Sequence, residues 1–205
     1  MQKFLLAVAF CTLSFVAEAQ YDTISNKKEA IEQYNKGIDY FVDKEYTTAM
    51  PYFLKAIEID PKFAYALDNL AICYRKTGDD DKALKYYYRS LKCYPKGITP
   101  LQNIPPIYID KHEYDKAIEA YNKMAEVYPG DAEVYYGLGR IYLNYKIDYA
   151  KGIDYSCKAY LQYIKDNSSY VDDAKQNIQF GYGKMKALGR ENEAKKILTD
   201  YNISF

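Results

Sequence analysis

The stretch AYALDNLAICYRKTGDDDKALKYYYRSLKCYPKG, residues 64–97, carries the design of this chain in one piece. Leu67, Leu70, Ala71 and Tyr74 fall three or four apart, the spacing of a helix with one apolar face. Thr77-Gly78-Asp79 then makes a turn, glycine being the natural left-handed helix stop. Ala83, Tyr87 and Leu91 mark a second helix. Tyr94-Pro95 ends it, because proline has no amide donor and disfavours helix in the residue before it. Moving outward by 34 residues meets the same positions again: Tyr40, Tyr108 and Tyr142; Ala49 and Ala117; Pro61 and Pro129. Three residue types in one phase and one period signal stacked units, none able to bury its apolar face alone.

The unit before repeats the logic. Ile31, Tyr34, Ile38 and Phe41 define a first helix and Asp43 to Glu45 break it; a second helix then runs from about Tyr46 to Ile59 over Ala49, Phe53 and Ala56. On these residues the chain resembles the tetratricopeptide repeat (TPR) family. Counting from Ala64, Leu67, Leu70, Ala71, Tyr74, Ala83, Tyr87, Ser90 and Pro95 fill every slot of that family's pattern. The first unit supplies Gly37, Tyr40, Ala49, Phe53, Ala56 and Pro61 but departs at Gln33 and Lys36. The third keeps Leu101, Tyr108, Ala117, Tyr121 and Pro129 but places Pro105 at the eighth slot. The fourth has Tyr135, Leu138, Gly139 and Tyr142 and then loses register, with its small residue one early at Ala150 and Asp154 where an aromatic belongs. A degenerate fifth pair has Leu188-Gly189 at its turn and Ala194 at its small position.

The resemblance implies an all-α fold, a right-handed α-solenoid of about five antiparallel helix pairs over residues 29–201. The expected repeats cover about 30–63, 64–97, 98–131, 132–166 and 169–200. Composition agrees, with 26 tyrosines and no tryptophan among 205 residues. A tyrosine has an apolar ring and a polar tip, which suits half-buried places between stacked helices. Tyr86-Tyr87-Tyr88 cannot all point inward on one helix, so at least one ring should be exposed.

Residues 1–19 read as a signal peptide: Lys3 gives the positive start, Phe4 to Val16 the apolar stretch, and Ala17-Glu18-Ala19 the small-x-small cleavage site before Gln20. An apolar run of 13 residues is short of the roughly 20 that span a bilayer, and no later segment is long or apolar enough. Residues 20–28 are read as an N-terminal segment. The leader and the Gln after the cut resemble exported proteins of Bacteroidetes-like bacteria, which implies a periplasmic or extracellular mature chain. Lys+Arg and Asp+Glu both number 28, and removing Lys3 and Glu18 with the leader keeps the balance at zero. No basic run stands out, which argues against nucleic acid or an anionic membrane as the main partner.

Residues suited to catalysis are sparse. His112 is the one histidine, with no second for a zinc site and none placed to activate a serine or cysteine. No phosphate loop of the form G-x-x-x-x-G-K occurs. Asp79-Asp80-Asp81 lacks the alternating ligands and distant glutamate of a calcium loop. Cys73, Cys93 and Cys157 remain after the leader, and they read as free core residues, with a Cys73–Cys93 bridge left open. No enzyme activity, cofactor or metal is expected.

The resemblance assigns ligand-facing slots to the first helix of each pair. Here they hold Tyr34, Asn35 and Ile38; Tyr65, Asp68, Asn69, Ile72 and Arg75; Gln102, Asn103 and Ile109; and Tyr136, Arg140 and Asn144. Asn35, Asn69 and Asn103 form a ladder whose amides could pair with an extended peptide backbone, although asparagine is also common at that slot in the family. The slots that clamp a chaperone's C-terminal carboxylate hold Ile38, Asn69, Thr99 and Asn103, with both cations missing, so that ligand is excluded. Pro105-Pro106 should kink or restart the third unit's first helix and widen the groove beside Gln102 and Asn103. The resulting expectation is a protein-interaction scaffold of the cell envelope that takes a protein or peptide segment. The alternatives are a self-associating structural scaffold, with homo-oligomers as its sign, and a saccharide-binding accessory protein.

Overall fold

Three helix starts are fixed by an aspartate cap. Asp79 Oδ1 accepts the Lys82 amide at 3.1 Å, and Asp131 Oδ1 accepts the amides of Glu133 at 2.8 Å and Val134 at 3.4 Å. Asp148 Oδ1 accepts the Lys151 amide at 3.2 Å. In each case a carboxylate satisfies an amide left over by the first turn and meets the positive end of the helix dipole. The computed structural model describes residues 25–204. The leader expected over residues 1–19 and its cleavage near Ala19 lie outside them. Ten helices follow in order: α1 (Lys28–Val42), α2 (Tyr46–Ile59), α3 (Ala64–Lys76), α4 (Asp80–Cys93), α5 (Ile98–Asp110), α6 (Tyr114–Val127), α7 (Ala132–Asn144), α8 (Tyr149–Lys165), α9 (Val171–Ala187) and α10 (Glu191–Asp200). No strand occurs among the described residues. Consecutive helices pack as antiparallel pairs across short turns, the arrangement of an α-solenoid. The chain divides into two compact units, one ending at Gly97 and the other starting at Ile98.

The turn inside each of the first four pairs is built around one tyrosine carbonyl. The amides of Glu45, Asp79 and Glu113 reach back five residues to the carbonyls of Tyr40, Tyr74 and Tyr108, at 3.0, 2.8 and 2.8 Å. This return requires one residue in the left-handed region, filled by Lys44 (φ 62°), Gly78 (φ 86°) and His112 (φ 59°). The fourth turn is one residue longer. There the Asp148 amide reaches back six residues to the Tyr142 carbonyl at 2.9 Å, and Ile147 takes the left-handed position at φ 55°.

That extra residue corrects the register expected for the fourth pair. Gly152, not Ala150, is the buried small residue, and a methyl there would come 2.5 Å from Leu143 Cγ. Ser156, not Asp154, faces Gly139 where the first pairs set an aromatic; a methyl on Gly139 would lie 2.7 Å from Ser156 Oγ. Asp154 turns outward and accepts from Tyr201 Oη at 2.6 Å and Lys158 Nζ at 2.9 Å.

Within the first unit the core joins Ala49, Phe53, Ala56 and Ile57 of α2 to Leu67, Leu70 and Cys73 of α3, with Ala30 of α1 and Phe63 at the corner. The Phe53 ring fills the space above Gly37, where a methyl would approach its Cε1 to 2.6 Å. Tyr34 lies against Phe63 and Phe53 at centroid distances of 4.8 and 5.7 Å. Burying a ring such as Phe53 stabilises by about 2–3 kcal/mol. In the second unit, α10 and α9 close over α8 through Ile153, Cys157, Ile178, Met185 and Ala194. Cys73, Cys93 and Cys157 are free thiols, which settles the open bridge against pairing.

Of the kink or restart expected at the prolines, the restart does not occur. α5 runs from Ile98 to Asp110 through Pro105 and Pro106 without a restart. Both rings pack into the unit, Pro105 buried and Pro106 half-buried, so packing holds a helix that local propensity would break.

Candidate functional site

Each unit carries its own set of candidate residues. In the first, Tyr34, Asn35 and Ile38 on α1 and Tyr65, Asn69, Ile72 and Arg75 on α3 are half-buried. Asn69 Nδ2 donates to Tyr34 Oη at 3.0 Å and so ties α3 to α1. Burial pushes the Tyr34 phenol above its ordinary range, with the Asn69 bond a smaller, opposing cause. Asp68 is the correction in this set. It is only 6% exposed, so it belongs to the interior rather than to a ligand-facing surface. Burial lifts its carboxyl from 3.8 to about 7, opposed only by the hydroxyl of Ser90 on α4.

In the second unit Gln102, Arg140 and Asn144 are exposed, and Asn103, Ile109 and Tyr136 are half-buried. Asn103 Nδ2 donates to its own helix at the Thr99 carbonyl, 2.8 Å away, and Asn144 Nδ2 to the Arg140 carbonyl at 2.9 Å. Asn69 and Asn103 thus each spend an amide hydrogen within the protein, which weakens the ladder as a row of donors for a peptide. Arg140 lies over the Tyr136 ring at 5.8 Å, a weak attraction of about 0.5–1 kcal/mol at an exposed site.

α9 contributes residues that the repeat pattern did not assign. Asn177 sits beside the Tyr136 hydroxyl and Asp173 is close enough to act on it, while burial is the largest cause of that phenol's raised pKa. One turn on, Phe180 is 44% exposed, with Lys184 Nζ 5.2 Å from its ring centroid. The fifth pair lost the slots that number the others, so period alone could not reach these residues. The buried stripe Ala174, Ile178, Gly181 and Met185 was the usable signal, since it turns Asn177 to its flank.

Most of the repeating tyrosines are spent on structure. Tyr40 stacks on Tyr52, Tyr74 on Tyr86 and Tyr142 on Tyr155, with centroids 5.5, 5.5 and 5.6 Å apart. Lys82 lies 5.2 Å from Tyr74, Arg89 5.3 Å from Tyr86, Lys151 5.2 Å from Tyr142 and Lys158 5.0 Å from Tyr155. In the triplet, Tyr86 is half-buried, Tyr87 buried and Tyr88 42% exposed, so one ring faces outward.

A cleft of about 230 Å³ is lined by Asp131, Ala132, Glu133, Tyr163, Asp166 and Ser168. It is smaller than the roughly 300–1,000 Å³ of small-molecule sites. Its polar groups already serve the fold: Asp131 caps α7, and Tyr163 Oη donates to Glu133 Oε1 at 2.7 Å. Among the described residues no set of three or more His, Cys, Asp or Glu side chains converges as metal ligands. No helix among them is long and apolar enough to cross a membrane.

Two models of the tetratricopeptide repeat match the chain, over residues 52–85 and 106–167. Among solved structures, MamA 41-end from Desulfovibrio magneticus RS-1 is 17% identical, with 86% of this chain and 95% of that chain aligned and a TM-score of 0.66. A tetratricopeptide repeat protein from Parabacteroides merdae ATCC 43184 is 21% identical over 85% of this chain and 66% of that one, with a TM-score of 0.64. MamA AMB-1 is 22% identical over 84% and 90%, with a TM-score of 0.63. At these identities the likeness is one of fold. No curated protein matches the chain in sequence.

Proposed function

Because this chain belongs to the tetratricopeptide repeat family, whose repeats are protein-interaction scaffolds, we propose that it holds an extended segment of a partner protein against its first-helix faces, without enzymatic activity, in the cell envelope. The observation that carries the reading is the α7–α9 face. There the half-buried Tyr136 would supply an aromatic anchor, and Arg140, Asp173 and Asn177, all close to its ring or hydroxyl, would supply polar contacts. Anchors of this kind dominate the energy of protein interfaces. The envelope location rests on the leader read in residues 1–19.

In-cell photo-crosslinking tests both parts. A photoreactive residue at Arg140 should trap a protein adduct, one at Glu119 on the second helix α6 should not, and the trapped chain should begin at Gln20. Equal capture from both positions would remove the first-helix face from the account. A captured chain that still carries its first residues would remove export.

A further inference from the structure

The α3–α4 pair encloses three oxygens with no hydrogen-bond partner: Asp68 Oδ1, Tyr87 Oη and Ser90 Oγ. Ser90 Oγ lies near enough to Asp68 to favour the ion slightly without reaching the geometry of a full hydrogen bond, and Asp68 in turn acts on Tyr87. A carboxylate in such surroundings keeps its proton unless a cation or several aligned donors compensate for lost water. We propose that the α1–α4 unit is a proton-responsive module, held together with Asp68 as a neutral acid and loosened when that carboxyl ionises.

The groups packed around Asp68 support this. From α1 comes Tyr34, whose phenol is itself raised by burial and by the nearby Asp68. From α4 come Tyr87 and Ser90, neither of them cationic. On α3 itself, Cys73 and Arg75 act on Tyr87, and neither is among the causes that shift Asp68. The buried residues of α2 are Ala49, Phe53, Ala56 and Ile57, all apolar. Only the Ser90 hydroxyl favours the charged form.

The sign follows from linkage. Asp68 titrates near 7 when folded, against an ordinary 3.8. The folded state therefore binds the extra proton between these values. The stabilisation is fully present below about pH 4 and is lost as pH rises towards and through about 7.

The test compares the full-length wild type with Asp68→Asn by urea unfolding, and by hydrogen exchange over residues 64–93, at about pH 5 and about pH 8. The folding equilibrium should shift in the variant's favour between these conditions by at least about tenfold, with α3–α4 exchange in the wild type accelerating to match. A difference between the two proteins that stays constant with pH would overturn the proposal, because it would mean that Asp68 is an ordinary ion or only a packing group. If the variant fails to fold, an NMR titration of the wild-type Asp68 carboxyl carbon decides instead. A midpoint near neutrality supports the proposal, and one in the ordinary carboxylate range overturns it.

Discussion

At the scale of single residues, the left-handed turn position shows most clearly where sequence and conformation disagree. Gly78 accepts φ 86° freely, whereas Ile147 at φ 55° is β-branched and still 56% exposed. A left-handed residue other than glycine costs about 1–2 kcal/mol, and so exposed a side chain offsets little of that by burial. Ile147→Asn should therefore raise stability by about 1 kcal/mol, since asparagine tolerates this conformation without glycine's loss of backbone entropy. A denaturation midpoint that stays put or falls would contradict this. Gly78 could be read from sequence because glycine announces the turn; Lys44, His112 and Ile147 could not, because the surrounding bonds to the tyrosine carbonyls impose their conformation. Asp68 was misread for a related reason. Its slot faces a ligand in the family, but here it lies beside Ser90 and Tyr87, and a 34-residue count carries no information about helix rotation.

At the scale of elements, packing overrules local propensity in α5 and insertion overrules period in α8. An interior proline costs a helix about 3 kcal/mol, yet α5 passes through Pro105 and Pro106. Pro106 is the half-buried one, so Pro106→Ala should restore an amide donor while removing little contact. Chemical denaturation should show a gain of about 1–3 kcal/mol. A loss would mean that the proline ring contributes more by packing than it costs in hydrogen bonding. The fourth pair's turn gained one residue, and Ala150 happened to stand near the expected small position, which hid the shift to Gly152. Helices whose apolar residues kept the period, such as α3 with Leu67, Leu70 and Ala71, were legible because nothing had been inserted.

For the whole molecule, the repeat period led to the all-helical fold and to its pairing into antiparallel helices, while the binding face was legible only in part. Tyr136 and Arg140 could be named from the repeat slots, but Asp173 and Asn177 join them only because α9 packs beside α7. Chain segments far apart in sequence are joined there by the lengths of α8 and its turns, which no repeat count fixes. The stacked pairs Tyr40–Tyr52, Tyr74–Tyr86 and Tyr142–Tyr155 tie the two helices of a pair together. The central claim is that a partner segment docks on the first-helix face. The most direct measurement is the affinity of the crosslinked partner, once purified, for wild type, for Tyr136→Ala/Arg140→Ala and for Glu119→Ala. The account predicts at least about a tenfold loss for the double variant, or about 1.4 kcal/mol, and wild-type affinity for Glu119→Ala. Unchanged binding by the double variant, or an equal loss in both, would contradict it.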